Sequence, residues 1–357
     1  MYLDYAATTP LKVEVKEAIY KYLNNYGNPS SLHAVGDAAK KVLIESERTI
    51  AQFIHAEADQ IIFTSGGSAS NCLAIEGWLA ENEGVVHYSP IAHKSILECA
   101  KAQGDRAIPL VVDAQGKIDL SILDERLEQQ NGLVVIDYAN SEIGVIQDVN
   151  AIITICHKYN CPVFLDATGS IAQIPVNVKK LDVDMLAFSG HKLGSLKGCG
   201  VLYKKKDIKL KPLIYGSQNH GLFAGTENMI GIVALAAAVK NYDYSSITTF
   251  GCDYLWGAIS SRIHDAHWIG GGLPHNLYVI FDGISGTHLS VLLDVRGYQV
   301  SAGSACSSGS KEISSTLRAI GQTNDGIRIS LSGNESFGSL DDFINVLEEC
   351  VKVLRGE

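Results

Sequence analysis

The sequence predicts an α/β protein, a mostly parallel sheet flanked by helices with a smaller α+β domain after it. Three observations carry this. From about residue 60 to 205, short apolar runs alternate with helical segments, the rhythm of parallel strands joined by crossover helices. Two of the runs end in reactive residues: Pro162-Val-Phe-Leu-Asp166 in an acid, Met185-Leu-Ala-Phe188 in Ser189-Gly-His191-Lys192. Beyond Pro212 the rhythm gives way to a glycine-rich polar loop, 216–228, and then to a different mixture of helices and one clear strand. Buried parallel strands deliver their last residues to one edge of the sheet. Asp166 and Lys192 are therefore expected in one crevice.

Taken in order, Tyr2 to Pro10 reads as a short extended opening and Val13 to Leu23 as a helix. Gly27-Asn-Pro-Ser-Ser31 breaks the chain, and a serine there caps a long helix, Leu32 to His55. Gln60 to Thr64 is a strand running into Ser65-Gly-Gly-Ser68, with a helix from Ala69 to Leu79. Such a junction can cradle a phosphate: Gly66 and Gly67 admit the ligand to the backbone, Ser68 offers a hydroxyl, and the helix offers free amides. Val85 to Tyr88 is the next strand, with His93 at the corner before a helix through Ala102. Leu133 to Tyr138 is the most apolar strand and ends in Ala139-Asn-Ser-Glu-Ile-Gly144. Val149 to Tyr159 is helical; strands are expected at 162–165, 184–188 and 199–203. Helix Met229 to Tyr242 closes the large domain. A helix after Thr248, the strand Leu277 to Phe281, a helix over Leu289 to Val295 and another over Leu340 to Leu354 form the smaller one.

Composition narrows the function. The 357 residues exceed one small core, and the formal charge of −10 argues against binding a nucleic-acid backbone. No apolar leader is evident, and the longest apolar run, Met229 to Val239, is too short to span a bilayer, so a cytoplasmic, membrane-free protein is expected. Eight cysteines show no CxxC pair and no disulfide-scaffold spacing, and most read as small buried hydrophobes. Cys156, His157 and Cys161 lack a second ligand pair, and no metal site is expected. Cys306 differs: it sits among Ser, Ala and Gly, reads as an exposed loop, and is a candidate nucleophile.

An acid and a lysine at one sheet edge suit pyridoxal 5′-phosphate. The lysine bonds to the cofactor aldehyde, and the acid keeps the ring nitrogen protonated so that the ring takes up electrons. An imidazole at a strand-to-helix corner, as at His93, can stack on such a ring and shuttle protons.

The motifs together resemble one family. Tyr2-Leu-Asp-Tyr-Ala-Ala-Thr-Thr-Pro10, Gly27-Asn-Pro-Ser-Ser31, Phe63-Thr-Ser-Gly66, His93, Glu142-Ile-Gly144, Asp166-Ala-Thr168, Ser189-Gly-His-Lys192, Gly225-Thr-Glu-Asn228, Gly303-Ser-Ala-Cys306 and Arg328-Ile-Ser-Leu331 look like the cysteine desulfurases of the NifS/IscS type, first subgroup. These are fold-type-I pyridoxal enzymes of the class V aminotransferase group. The resemblance implies a mixed, mostly parallel seven-stranded sheet in a large domain, 14–247, and a small domain built from 1–13 and 248–357. It implies Lys192 as the covalent anchor and proton carrier, Asp166 at the pyridine nitrogen, and His93 on the ring. Gly67, Ser68, Ser189 and His191 would hold the phosphate, with Thr226 reaching it from the partner subunit of a homodimer. Asn140 and Ser141 would lie near the cofactor's phenolic oxygen; Asn140, Ala7 and Arg328 would meet the substrate, with Arg328 on its carboxylate. L-Cysteine would yield L-alanine and a persulfide on Cys306, passed to a sulfur-acceptor protein such as an iron–sulfur scaffold. Related readings are a lyase acting on selenocysteine or cysteine sulfinate, or a degenerate homologue that serves as a binding partner in sulfur transfer.

Four departures from the family pattern fall at the cofactor. Gly169 stands where the family has Gln, and Ser141 where it has Asn. The phosphate turn is Gly66-Gly-Ser-Ala-Ser70, and Asn219 to Thr226 lacks two arginines. Each lost donor costs about 1 kcal/mol of binding, so altered cofactor absorption and reduced or redirected turnover are expected.

Overall fold

The computed structural model describes residues 1–303 and 313–357; Cys306 lies outside the described residues. The chain begins with α1 (Val13–Tyr22) and α2 (Ala34–Phe53), followed by β1 (Ile61–Thr64), α3 (Gly67–Glu81), β2 (Val85–Tyr88), α4 (Lys94–Ala102) and β3 (Ala107–Pro109). Next come α5 (Leu120–Gln129), β4 (Gly132–Asp137), α6 (Val149–Lys158), β5 (Val163–Asp166), α7 (Val178–Leu181), β6 (Met185–Ser189) and β7 (Gly200–Lys204). After α8 (Met229–Val239) the smaller part comprises α9 (Phe250–Arg262), β8 (Ala266–Trp268), β9 (Asn276–Phe281), α10 (Gly286–Val295), α11 (Ser315–Ala319), β10 (Ile327–Ser330) and α12 (Phe337–Arg355).

The large sheet has seven strands in the order β1-β7-β6-β5-β4-β2-β3. Strands β3, β2, β4, β5 and β6 run parallel, whereas β7 is antiparallel to both β6 and β1. The expected mostly parallel sheet is present, and the reversal at β7 has a simple cause. Ser189 and Gly200 are too close in sequence for a crossover helix, which needs a dozen or more residues, so β7 folds back beside β6. The sheet is buried on both faces. One face packs a core that includes Ile50, Val134, Ile136, Leu165 and Leu235. The other packs Leu73, Ile75, Trp78 and Ile96 of α3 and α4 against Val86, Val135, Phe164 and Ala187. Helix α3 is buried on most sides, which explains why its sequence lacks a polar stripe.

The second sheet, β10-β9-β8, is antiparallel and has its own core with α9, α10 and α12, including Leu255, Val279, Leu293, Phe343 and Leu347. A fourth cluster, Ile91, Ile143, Val145, Tyr278, Ile280, Leu317 and Ile320, joins the two sheets. The N-terminal segment is also shared. Leu3 bonds the backbone of Gln299 and Ser330, while Thr9 bonds His191. The expected extended opening is therefore a strap between the two sheets. Strands β3, β8 and β10 and helices α5, α7 and α11 have no counterpart in the sequence-based expectation; all are short except α5, whose polar surface carries only two buried leucines, Leu123 and Leu127.

Candidate active site

Asp166 is the last residue of β5 and is 4% exposed. Its two oxygens have defined donors: Asn71 Nδ2 at 2.8 Å on Oδ2, and the Thr168 backbone N–H at 2.8 Å on Oδ1. Two donors on a buried carboxylate fix its direction. Lys192 closes the single 3₁₀ turn, Gly190–Lys192, that follows β6. Its Nζ donates to the carbonyl of Ala7 at 3.0 Å and to that of Ala6. The strap thus supplies the lysine's backbone partners, which gives Ala7 its place in the cleft.

His93 caps α4. Its Nδ1 accepts the Ser95 backbone N–H at 3.2 Å and faces Ser95 Oγ at 2.8 Å, which places the ring proton on Nε2. Burial lowers its pKa, Asp166 opposes that shift, and Lys192 reinforces it, so the ring is neutral at neutral pH. Asn71 Nδ2 also reaches Ser95 Oγ at 2.9 Å, joining the Asp166 and His93 supports into one network. His191, with Nδ1 3.1 Å from Thr8 Oγ1, is likewise neutral: burial, Lys192 and Lys197 bring its pKa down to about 4.

Arg328 stands on β10 with its side chain 2% exposed. Nη2 donates to Asp4 Oδ1 at 2.7 Å and Nη1 to the Ser141 carbonyl at 2.9 Å. Asn140 Nδ2 donates to the Ile91 carbonyl at 2.6 Å, and its Oδ1 accepts the N–H groups of Glu142 and Ile143, both at 2.9 Å. Its amide mainly shapes the loop that presents Ser141. These residues line one cleft of about 490 Å³ together with Ala6, Ala7, Gly67, Ser68, Ser189 and Gly169. Ser189 is buried at the end of β6, and Ser68 is exposed in the first turn of α3, just beyond the Gly66 cap. Thr226 does not line this cleft and is exposed.

The cleft fits pyridoxal phosphate. A carboxylate and an amine face it from adjacent strand ends, and the α3 N-terminus opens onto it for an anion. A Cβ at Gly67 would come within 2.8 Å of Thr168 Oγ1, so only glycine leaves the backbone accessible there. Thr168 Oγ1 and Arg328 Nε are buried polar atoms without a protein partner among the described residues, as expected of groups kept for a ligand.

Among the site residues that escape the sequence reading, alongside Asn71 and Thr168, are Asp137 and Glu142. Asp137, at the end of β4, lies in register beside Asp166 and lines the same cleft. Burial, then the charge of Asp166, raises its pKa well above the usual carboxyl range, with the His93 N–H opposing. It holds a proton. Glu142 is buried beside Arg328, with Oε1 unpartnered among the described residues, and burial raises its pKa too. The signal was available for Asp137, an acid ending an apolar strand as Asp166 does. A carboxyl whose folded pKa exceeds its unfolded value stabilises the fold below the unfolded pKa and loses that contribution as pH rises through the folded pKa. Asp137→Asn is therefore expected to gain stability on wild type as pH rises from about 4 to 8. Urea midpoints across that range check it, and parallel curves for the two proteins would refute a neutral Asp137.

Two of the four departures, Gly169 and Ser141, prove to be neighbours. A Cβ at Gly169 would lie 3.0 Å from Ser141 Cβ and 3.1 Å from the Ala139 carbonyl oxygen. Position 169 thus has little room for a side chain while the 139–141 loop keeps this course.

Known proteins resemble this chain over nearly its whole length. The family model "Aminotransferase class-V" matches residues 1–343. The cysteine desulfurase IscS of Dictyoglomus turgidum is 36% identical, the match covering 99% of this chain and 95% of that protein. The putative cysteine desulfurase IscS 1 of Bacillus subtilis is also 36% identical, over 95% of this chain and 93% of its own. Among solved structures, a NifS-like protein superposes with a TM-score of 0.91 at 30% identity, covering 99% of this chain and all of that one. A protein described as SspA in complex with cysteine superposes with a TM-score of 0.82 at 28% identity, covering 94% and 99%.

Proposed function

The chain belongs to the class-V aminotransferase family, and from that premise we propose that it is a pyridoxal-phosphate-dependent cysteine desulfurase. It takes the sulfur of L-cysteine onto Cys306 and releases L-alanine. The observation that carries this reading is the convergence of Asp166, Lys192 and Arg328 on one cleft, from β5, the turn after β6, and β10.

Lys192 would hold the cofactor, Asp166 its ring nitrogen, His93 its ring face, and Gly67, Ser68, Ser189 and His191 its phosphate. When bound, pyridoxal phosphate supplies an electron sink for the carbon that loses its proton. Arg328 would take the substrate carboxylate, its two Nη groups anchored on Asp4 and Ser141 so that its position is set before substrate arrives. Lys192 Nζ would remove the Cα proton. The Cys306 thiolate would then attack the substrate sulfur: the carbon–sulfur bond breaks, a sulfur–sulfur bond forms, and protonation of the remaining fragment gives alanine. Cys306 leaves with a persulfide for an acceptor protein.

Exposed apolar side chains at Tyr20, Leu23, Tyr26, Leu32 and Tyr215 support a homodimer. In that dimer Thr226, exposed and outside its own cleft, would serve the partner's phosphate site. The two separate cores support a large domain at 14–247 and a small one of 1–13 and 248–357. No helix among the described residues is long and apolar enough to cross a membrane; the cytoplasmic setting is part of the proposed reading.

Alanine and sulfide release from L-cysteine under reductant, wild type against Cys306→Ala, tests the reading. Equal amounts of the two products are expected from wild type. Turnover should fall at least about a thousandfold in the variant, with the cofactor spectrum retained. Alanine formation undiminished in Cys306→Ala would sink persulfide chemistry at that thiol.

A further inference from the structure

We propose that Cys72, Glu76 and Cys99 form a binding site for a thiophilic divalent cation such as Zn²⁺, tying α3 to α4 behind the cofactor cleft. Cys72 and Glu76 stand four residues apart on α3, so they share one face of that helix. Cys99 stands on α4, which packs alongside. One ligand atom from each of the three lies within 4.8 Å of the other two. The Cys99 sulfur is 3.6 Å from Glu76 Oε1. Around a tetrahedral zinc, with Zn–S near ~2.3 Å and Zn–O near ~2.1 Å, a sulfur–oxygen edge measures about 3.6 Å. The donors are thus spaced for one ion with little movement.

The donor set chooses the class of ion. Two thiolates and a carboxylate favour Zn²⁺ over Mg²⁺ or Ca²⁺, which take oxygen ligands. Both cysteines are free thiols, so neither is committed to a disulfide. Cys99 is 6% exposed, whereas Cys72 is half-buried and gives the ion and a fourth, water ligand a route from solvent. Binding sends two thiol protons to solvent and oxidises nothing. Because the ligands come from two helices, 23 residues separating Glu76 from Cys99, no compact motif announces them.

The position gives the ion a role. Cys72 follows Asn71, whose amide holds Asp166 and Ser95. Cys99 stands one turn beyond Ser95, whose hydroxyl meets His93. A coordinate link from Cys72 to Cys99 would therefore brace, from behind, the same two helices that the Asn71–Ser95 hydrogen bond joins at the cleft floor.

The test uses reduced, chelator-stripped holoenzyme carrying Cys306→Ala, so that the loop thiol cannot compete. Zn²⁺ is titrated against a chromophoric chelator, and Cd²⁺ is added separately to record thiolate-to-metal absorption. One equivalent per chain, a cadmium–thiolate band and a higher Tm with Zn²⁺ are expected. Adding Cys72→Ser should weaken Zn²⁺ binding by about a hundredfold or more and remove most of the band, while Glu76→Gln should weaken binding about tenfold. Glu76→Gln retains the side-chain shape, so the test does not depend on replacing the buried Cys99. Uptake well below one equivalent, uptake unchanged by Cys72→Ser, or a Cys72–Cys99 disulfide in place of metal uptake would overturn the proposal.

Discussion

Lys192→Ala is expected to lower alanine formation by about ten-thousandfold, because in the proposed function one side chain would serve as both anchor and proton carrier. The loss should be separable into its two parts. Lys192→Arg keeps a cation near the carbonyls of Ala6 and Ala7 but stays protonated at any accessible pH. It is expected to bind cofactor and substrate with nearly the same inactivity as the alanine variant. Lys192→Ala should instead recover a measurable rate when a small primary amine is added, since the missing group is a base of defined size. Single-turnover kinetics with the absorption spectrum followed in parallel would check both. A residual rate above about a tenth of wild type in either variant would mean that another group moves the proton, and neutral His93 would be the first to examine.

Arg328→Leu should produce the second-largest change, in two readouts at once. The guanidinium is buried and paired with Asp4, whose side chain is 20% exposed. Removing one member of a buried pair strands the other, at a cost of about 3 kcal/mol for a deeply buried case. The partial exposure of Asp4 should bring the loss in folding stability to about 2 kcal/mol. The substrate side should suffer more: kcat/KM for L-cysteine is expected to fall about a hundredfold to a thousandfold, chiefly through KM. Asp4→Asn offers the contrast. It leaves the donor in place with a weaker tether, so its KM should rise less than tenfold. An unchanged KM in Arg328→Leu would remove the arginine from substrate binding, whatever happened to stability.

Much of this site is legible in the sequence because its two central residues end apolar runs. Asp166 and Lys192 are reached by chain direction alone, since parallel strands place their last residues along one edge. Arg328 is harder to place. It is reached through the family resemblance rather than through any local pattern, and the tertiary pairing with Asp4, 324 residues earlier in the chain, accounts for its burial. Asp137 carries the same local signal as Asp166, an acid ending an apolar strand, but that the two lie side by side depends on register, which no local pattern encodes. Gly169 and Ser141 teach the same lesson. In the sequence they are two separate departures from a family pattern; in the fold they are one contact, in which the small residue at 169 leaves space for the loop at 141. Such pairing is a property of packing, and composition or spacing cannot supply it. The reversal of β7, by contrast, could have been foreseen from the short distance between Ser189 and Gly200.

The strap at residues 2–9 has a consequence for how the chain matures. A ribosome makes these residues before every element they bind, yet Leu3 and Asp4 acquire their partners only after the large sheet is complete. Leu3 and Asp4 wait for Ser330 and Arg328, and the carbonyls of Ala6 and Ala7 wait for Lys192. The large sheet, its strands complete by Lys204, can form while the C-terminal third is still being synthesised. Only when β10 has emerged can the strap be threaded between the two sheets. Competence to act therefore arrives late, once β10 has emerged, and a nascent chain halted before residue 328 would hold a nearly finished sheet with no finished cleft.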